Sequence, residues 1–295
     1  MNNGKELTTE QQKNRIYDYI FLCFFLGNDF MPHFPSVNIR TGGIDKMLNA
    51  YKATIGGSKE LLTDGKIIYW KNVRKLVAFL AEQEEGFLKM EVRQRDRGEK
   101  RHFPYETPEQ KFAKFDALPT HNRELEKAIN PFQDGWRRRY YASLDQLDMR
   151  NESVIAELSV NYLEGLEWTM KYYTTGCADW RWCYNYNYPP LFADLLKQIP
   201  VFEREFVPCL PPQPVKPLVQ LCYVLPNESL QFLPKKLHDR LKKDHEDWYP
   251  TDAAFVWAFC KYIWESHIEL PHIKIEELEK IVMEETNPPP PPPAN

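Results

Sequence analysis

The amino-acid sequence predicts a mainly α-helical domain of irregular topology with few or no β-strands. Apolar residues recur at helical spacing over long segments, most clearly in residues 151–173 and 70–92. The alternation of apolar and polar residues that marks half-buried strands is weak throughout the chain. The 295 residues are 43% hydrophobic, which is enough for one large domain or two modest ones with a real core.

The N-terminal half contains four predicted helices separated by glycine or proline. Residues 12–26 form an apolar segment that favours a buried helix, although so short a run is also compatible with a strand. A second helix is expected between the glycine pairs at 42–43 and 56–57. The third covers residues 70–92 and the fourth 134–147, and a polar linker with several prolines is predicted between them.

The C-terminal half begins with the most regular predicted helix of the chain, residues 151–173. An aromatic segment follows, and the proline-rich residues 200–217 predict an extended crossover. Three further helices are expected, at 218–225, 233–244 and 252–266. Residues 276–295, which include six consecutive prolines, are expected to form a disordered polyproline II tail.

Composition restricts the classes of function. The net charge of −4 provides no global positive field for a polyanion, so any contact with nucleic acid must be local or shared with another polypeptide. The six cysteines form no CxxC pair, which argues against a zinc module and is typical of a reducing compartment. No apolar stretch is long enough to span a bilayer. We therefore expect a soluble cytoplasmic or nuclear protein without a membrane partner.

Asp29 is the carboxylate that the sequence singles out. It follows an apolar segment and the pair Gly27-Asn28, and it precedes Phe30 and a turn fixed by Pro32. Hard cations such as Mg²⁺ and Mn²⁺ bind carboxylate oxygens, so Asp29 is a candidate metal ligand. The residues alone leave a second interpretation open, in which an Asn-Asp pair forms a turn by bonding to nearby backbone.

Two basic segments are candidates for contacts with phosphate groups. Residues 93–101 contain five basic and two acidic side chains, and Arg137, Arg138 and Arg139 form a triplet. Such segments bind phosphates in nucleic-acid interfaces, but they more often form a solvated surface.

Five segments in the same order resemble conserved parts of the Xrn-type 5′→3′ exoribonucleases. Residues 15–51 are similar to the end of that family's nuclease region, with the motif GNDF, and also to versions carried by large DNA viruses. Residues 135–141, GWRRRYY, are similar to a second segment. The remaining three are residues 162–195, 216–234 and 248–273. Five segments in register are far more specific than any single motif.

The resemblance implies roles for individual residues. The aspartate of GNDF belongs to an acidic cluster that binds Mg²⁺ or Mn²⁺ for phosphodiester hydrolysis, which makes Asp29 the expected metal ligand and catalytic residue. Asn28 and His33 are expected to support it without binding the metal. A tryptophan of the aromatic segment stacks on RNA bases in the family, and either Trp180 or Trp182 matches it.

The resemblance also implies a division of the chain. Residues 1–60 would be the C-terminal end of the nuclease core, residues 61–275 the helical domain that braces an absent α/β core, and residues 276–295 the tail. The other carboxylates and the pocket for a 5′-phosphate lie in a region that this sequence does not contain. One aspartate cannot hold the two cations of such a site, so the chain is expected to be inactive by itself.

Three classes of function remain open at this point. The first is part of a 5′→3′ exoribonuclease that degrades single-stranded RNA with a 5′-monophosphate and needs an N-terminal acidic half, in cis or in trans. The second is a non-catalytic module that binds RNA or a nuclease partner. The third is an interaction protein whose proline tail binds SH3, WW or profilin-like domains.

Overall fold

The fold is described from a computed structural model, which defines residues 9–286, with side chains described from residue 12 onward. Over this range the chain is mainly helical and contains one two-stranded sheet, as the sequence predicts. The twelve α-helices of the described chain are α1 (Thr9–Phe24), α2 (Gly43–Tyr51), α3 (Trp70–Glu99), α4 (Pro108–Asp116), α5 (Leu118–His121), α6 (Glu124–Ile129), α7 (Trp136–Leu144), α8 (Glu152–Thr174), α9 (Phe192–Gln198), α10 (Pro217–Val224), α11 (Lys235–Asp244) and α12 (Ile275–Thr286). Strands β1 (Ala254–Val256) and β2 (His267–Glu269) pair antiparallel.

The chain divides into two compact units, which are described separately. The first comprises residues up to Pro211 together with Trp257–Glu265, and the second comprises Pro212–Val256 and the residues from Ser266 onward. The expected boundary at residue 60 does not coincide with this division. Residues on both sides of it share one hydrophobic core, because α1 and α2 pack against α3, α8 and α9.

The first unit has two main cores. In the larger one, α1 contributes buried aromatic side chains such as Phe21 and Phe24, and Phe34 stacks on Phe192 with ring centroids 3.9 Å apart. The second core joins the C-terminal half of α3 to α6, α7, the start of α8 and residues 258–259. In the second unit α10, α11 and α12 pack together around Val219, Leu237 and Leu278.

The structure extends the predicted third helix and fills the predicted linker with short helices. Helix α3 continues through the basic segment to Glu99. The linker contains α4, α5 and α6, where Thr107 and Gln110 form a capping box and Pro108 takes the first helical position. Proline at that position begins a helix, since its missing N–H group would have no partner there. Pro108 and Pro119 therefore lie in the first turns of helices and do not mark a linker.

Two predictions for the C-terminal part are wrong. Residues 252–266 form no α-helix, and their only helical residues are the 3-10 turn Ile263–Glu265. Buried polar groups bind the backbone of this segment: Glu126 accepts from the amide of Phe259 at 2.7 Å, and the Tyr188 hydroxyl accepts from that of Ala258 at 2.9 Å. Residues 275–286 are not a disordered tail but helix α12, which buries Ile281 and Val282. The proline run at 288–293 lies outside the described residues.

Candidate functional site

The loop after α1 carries Asp29 and folds back on itself. Gly27 has a φ of +88°, a left-handed conformation that glycine adopts without strain, and a side chain at this position would lie 3.0 Å from the Cβ of His33. The amide of Phe34 donates to the carbonyl of Phe25 at 3.2 Å, which closes the loop. The residues from Phe25 to Phe34 thus form a compact hairpin-like turn.

Asn28 holds the tip of this loop. Its Oδ1 accepts from the amides of Phe30 at 2.9 Å and Met31 at 3.0 Å, so the turn-forming interpretation of the Asn-Asp pair holds for Asn28. Asp29 is exposed, and its carboxylate makes no hydrogen bond or ion pair with another described residue. The loop therefore presents an uncommitted carboxylate at a position that its neighbours fix.

An aromatic cluster lies directly beside Asp29. Phe30 packs edge-on against Trp168 and Tyr172 of α8, with ring centroids 4.9 and 5.1 Å apart. Tyr172 stacks on Trp168 at 5.2 Å, and Trp182 stacks on the indole of Trp168 at 5.3 Å. Trp182, Trp168 and Tyr172 therefore form a ladder of three rings, which we call the aromatic ladder. Phe30 connects this ladder to the Asp29 loop.

Gly165 allows the loop, the helix and the aromatic segment to meet. A Cβ atom at this position would overlap the Sδ of Met31 and would lie 2.9 Å from Cη2 of Trp182. Met31 belongs to the Asp29 loop, and Trp182 belongs to the aromatic ladder. The absence of a side chain on one position of α8 thus brings the two parts of the candidate site into contact.

Ion pairs and hydrogen bonds of Glu167 and Lys171 hold residues 205–207 beside the aromatic ladder. Glu167 accepts from the amides of Phe206 and Val207, and Lys171 pairs with Glu167 at 2.9 Å and with Glu205 at 2.6 Å. Burial lowers the pKa of Lys171, but hydrogen bonds and Coulomb attraction from the two carboxylates outweigh it, and its pKa is raised. Lys171 is therefore charged, and its ion pair with Glu205 holds residues 205–207 against α8.

The two tryptophans named by the sequence occupy different environments. Trp180 is 48% exposed, whereas Trp182 is partly buried at the end of the aromatic ladder and donates to Oε2 of Glu164 at 3.4 Å. Sequence reasoning missed Trp168 and Tyr172. Their spacing of four residues on α8, three positions after a glycine, is the signal that indicates a shared aromatic face.

The three arginines of the triplet also occupy different environments. Arg139 donates to the backbone carbonyls of Ala128, Ile129, Asn130, Gln133 and Asp134. These contacts occupy its guanidinium at the junction of α6 and α7. Arg137 lies over the ring of Trp136 at 4.6 Å and 3.7 Å from a carboxylate oxygen of Glu85, and Arg138 is exposed.

The residues around Asp29 do not make a complete metal site. Within residues 9–286, no group of three His, Cys, Asp or Glu side chains converges so as to hold a metal ion. The imidazole Nε2 of His33 lies 3.4 Å from Nδ2 of Asn38, beneath the loop. Asp29 can supply one ligand, and a divalent cation needs several more.

The sequence matches a known family over nearly its whole length. Residues 10–130 and 106–287 match, in two overlapping segments, the family described as the Xrn1 helical domain. The chain belongs to this Xrn helical-domain family.

Three relatives of this chain are named 5′-3′ exoribonuclease 2. The chain is 28% identical to the 5′-3′ exoribonuclease 2 of Gallus gallus over 92% of this chain and 35% of the relative. It is 26% identical to that of Arabidopsis thaliana over 89% of this chain and 34% of the relative. A shorter match, 34% identical, covers 56% of this chain and 15% of the enzyme of Aspergillus fumigatus. The chain thus spans about a third of the length of the first two relatives.

No helix among residues 9–286 is both long enough and apolar enough to cross a lipid bilayer.

One helix face is apolar and uncovered in the described chain. Ile16 and Tyr19 of α1 are 59% and 41% exposed, and Ile20 and Cys23 beside them are partly buried. These four residues have the spacing i, i+3, i+4 and i+7, so they form a continuous stripe along α1. We call it the α1 stripe.

Proposed function

We propose that this chain is part of a 5′→3′ exoribonuclease that degrades single-stranded RNA with a 5′-monophosphate. The observation that carries the proposal is the fixed and uncommitted carboxylate of Asp29, joined through Phe30 to the aromatic ladder. A nuclease that degrades any sequence needs carboxylates beside a stacking surface, because every base has a π-face. The names of the relatives support the same activity.

In this proposal the Xrn helical-domain chain supplies one part of the active site. Asp29 contributes one ligand to a site for Mg²⁺ or Mn²⁺, and the remaining carboxylates come from an N-terminal acidic half, in cis or in trans. Asn28 sets the position of the carboxylate through the two amides that it accepts, and His33 packs against Gly27 beneath it. No step of hydrolysis is assigned to the chain alone.

We assign the RNA contacts to exposed groups near the ladder and to two arginines of the triplet. Trp180 presents about half of its surface and Trp182 ends the ladder, so both are proposed to stack on bases. Stacking contributes about 1–3 kcal/mol per base. Arg138 and Arg137 are the proposed phosphate contacts of the triplet. Arg139 remains a candidate only if RNA replaces its five carbonyl partners, which would expose the ends of α6.

The α1 stripe is the proposed docking face for the acidic half. An apolar helix stripe exposed to water is unfavourable, and burial against a partner would remove it from solvent. The six cysteines are all free thiols, which fits an enzyme of the reducing cytoplasm or nucleus.

Reconstitution tests this function. The chain combined with an N-terminal acidic Xrn segment, by fusion or in trans, is expected to degrade 5′-monophosphorylated RNA in the presence of Mg²⁺. Asp29→Ala should abolish decay and leave RNA binding intact, since one metal ligand is lost and no stacking group changes. Asp252→Ala, which removes an exposed carboxylate in the second unit, is the matched control and should keep full activity. Full activity of the Asp29→Ala enzyme would refute the assignment.

A second observation favours a different candidate function. The described chain brings no carboxylate cluster together, as expected of a non-catalytic module that binds RNA or a nuclease partner. Both candidates predict that Trp180→Ala weakens RNA binding more than Trp264→Ala, at another exposed tryptophan. Reconstitution distinguishes them, because a binding module gains no decay when the acidic half is added.

A further inference from the structure

Helix α4 carries its large apolar side chains on its outer face. Phe112 and Phe115 are 71% and 58% exposed, whereas the small side chain of Ala117, directly after the helix, is buried. A helix on the surface of a globular protein normally turns its large apolar residues towards the core. The arrangement in α4 is the reverse, so packing within the described chain does not explain these two phenylalanines.

The start of α4 is fixed by its own hydrogen bonds. Thr107 Oγ1 accepts from the amide of Gln110 at 3.3 Å, and Oε1 of Gln110 accepts from the amides of Glu106 and Thr107 at 2.9 and 3.2 Å. Pro108 occupies the first helical position, and the helix also packs against α5. The capping box therefore stabilises α4 without any contribution from the two exposed rings.

Two lysines lie on one side of these rings. Successive residues of a helix point about 100° apart, so Lys111 and Lys114 occupy the side of α4 next to Phe115. Both lysines are exposed, and neither forms an ion pair with another described residue. Nζ of Lys114 lies 4.5 Å from the ring centroid of Tyr105, which is 58% exposed. We define the α4 face as Tyr105, Lys111, Phe112, Lys114 and Phe115.

The acidic side chains of α4 lie on the opposite side of the rings. Glu109 and Asp116 are about two turns apart and therefore project in nearly the same direction. Hydrogen bonds from its own backbone amide and from Thr107 hold the pKa of Glu109 below its usual range, so this carboxylate is charged at neutral pH. The α4 face is thus cationic along one edge only, and an anionic chain can follow that edge without meeting the two carboxylates.

We infer that the α4 face binds single-stranded RNA. Exposed aromatic rings stack on unpaired bases of any sequence, and cations beside them bind the phosphates. The rings of Phe112 and Phe115 contact no other ring or cation of the described chain, so their faces are open to a base. The inference rests on the function proposed above, in which single-stranded RNA is the substrate. Because the α4 face shares no residue with the Asp29 loop or the aromatic ladder, it is a second RNA contact outside the candidate site.

A lipid surface also accepts exposed phenylalanines and lysines. The polar side of α4 carries Glu109 and Asp116, however, and an anionic membrane that meets the whole helix repels these carboxylates. An RNA strand needs to contact only the lysine edge and the two rings. The distribution of charge therefore favours RNA over a membrane.

Fluorescence anisotropy of the isolated chain with a labelled oligouridylate tests the stacking rings. Phe112→Ala with Phe115→Ala should weaken binding by about tenfold or more, because each lost stack accounts for about fivefold or more. Both rings are exposed, so the double variant should melt as the parent does. Phe202→Ala with Phe232→Ala, at phenylalanines that are 65% and 78% exposed, is the matched control and should keep the parental affinity. Unchanged affinity of the Phe112, Phe115 variant would overturn the inference.

The salt dependence of the same binding tests the lysine edge. Lys111→Gln with Lys114→Gln should reduce the slope of log affinity against log salt by about 1.4, since each phosphate contact on a single strand contributes about 0.7. Lys52→Gln with Lys71→Gln removes the same charge from exposed positions elsewhere and should leave the slope unchanged. A parental slope in the Lys111, Lys114 variant would show that the phosphates do not follow this edge.

Competition and reconstitution complete the test. Duplex RNA, whose bases are already stacked, should compete at least about tenfold less well than the single strand. Equal competition by duplex RNA, no measurable binding of the oligouridylate at low salt, or an effect of the two phenylalanines on binding to phosphatidylserine vesicles but not to RNA would overturn the inference. Loss of RNA affinity in the Phe112, Phe115 variant, together with no decay by the reconstituted parent, would support the α4 face and refute the exoribonuclease function.

Discussion

At the scale of single residues, the clearest consequence is the protonation of Glu84. This side chain is fully buried on α3; its Oε1 accepts from the amide of Phe192 at 2.9 Å, and its Oε2 has no partner. Burial raises its pKa to about 8, and the amides of Phe192 and Ala193 oppose the shift without cancelling it. The folded protein therefore holds a proton at neutral pH that the unfolded chain has released.

The sign of the pH dependence follows from that difference. Between the ordinary pKa of 4.5 and about 8, the folded state binds more protons than the unfolded state, so the free energy of unfolding falls as pH rises through this range. Glu84→Gln should remove this contribution and flatten the profile measured by urea unfolding at pH 5, 6, 7 and 8. Glu82→Gln, at an exposed position of the same helix, should keep the parental slope. A Glu84→Gln protein with that slope would contradict the buried-proton explanation.

The arginine triplet shows what a sequence cannot resolve at this scale. Consecutive residues on a helix point about 100° apart, so three adjacent arginines enter three environments. Arg139 binds backbone carbonyls, Arg137 covers a tryptophan ring and Arg138 faces solvent. Composition groups them as one basic cluster, and only the path of α6 into α7 separates them.

At the scale of elements, the contact between α8 and the Asp29 loop is the most sensitive point of the candidate site. Gly165→Ala gains about 1 kcal/mol of helix propensity, but the new methyl group overlaps the side chain of Met31, which is 3% exposed. Overpacking of this kind costs about 1–3 kcal/mol. We expect a net loss of stability in thermal unfolding, together with lower activity after reconstitution.

The double variant Gly165→Ala, Met31→Ala separates overlap from a general loss of stability. If the overlap is the cause, the two changes are not additive, and their coupling exceeds about 0.5 kcal/mol. Gly86→Ala on α3 is the control, because nothing lies within 4 Å of the added methyl group, and it should stabilise the protein by up to about 1 kcal/mol. Additive effects would exclude the contact with Met31 as the cause.

The contacts of each element explain whether the sequence could predict it. Helices α1, α7 and α8 follow from apolar periodicity, because their own residues supply the buried face. Residues 257–265 are shaped by Glu126 and Tyr188, which are distant in sequence, so a local pattern gives the wrong result. The sequence predicted the candidate site only as separate motifs, GNDF and two tryptophans. It did not predict the aromatic ladder that joins them, because the ladder depends on Gly165.

At the scale of the whole molecule, the candidate site is incomplete within the described chain. Asp29 is fixed and uncommitted, but residues 9–286 contain no group of three His, Cys, Asp or Glu side chains that could hold a metal ion. The α1 stripe is exposed on the helix that leads into this loop. Both features are expected of a surface that another polypeptide segment completes, and neither requires that the isolated chain be active.

The isolated chain should therefore bind RNA weakly and not hydrolyse it. Without a carboxylate cluster, 5′-monophosphorylated RNA should remain intact with Mg²⁺ or Mn²⁺ over hours, measured on denaturing gels. Binding measured by fluorescence anisotropy should fall steeply with salt, because the net charge is −4 and only local cations meet the phosphates. Adding the acidic half should start processive decay, and Ile16→Glu with Tyr19→Glu on the α1 stripe should prevent it without lowering the melting temperature of the isolated chain. Metal-dependent turnover by the isolated chain that disappears with Asp29→Ala would mean that other carboxylates of this chain complete the site.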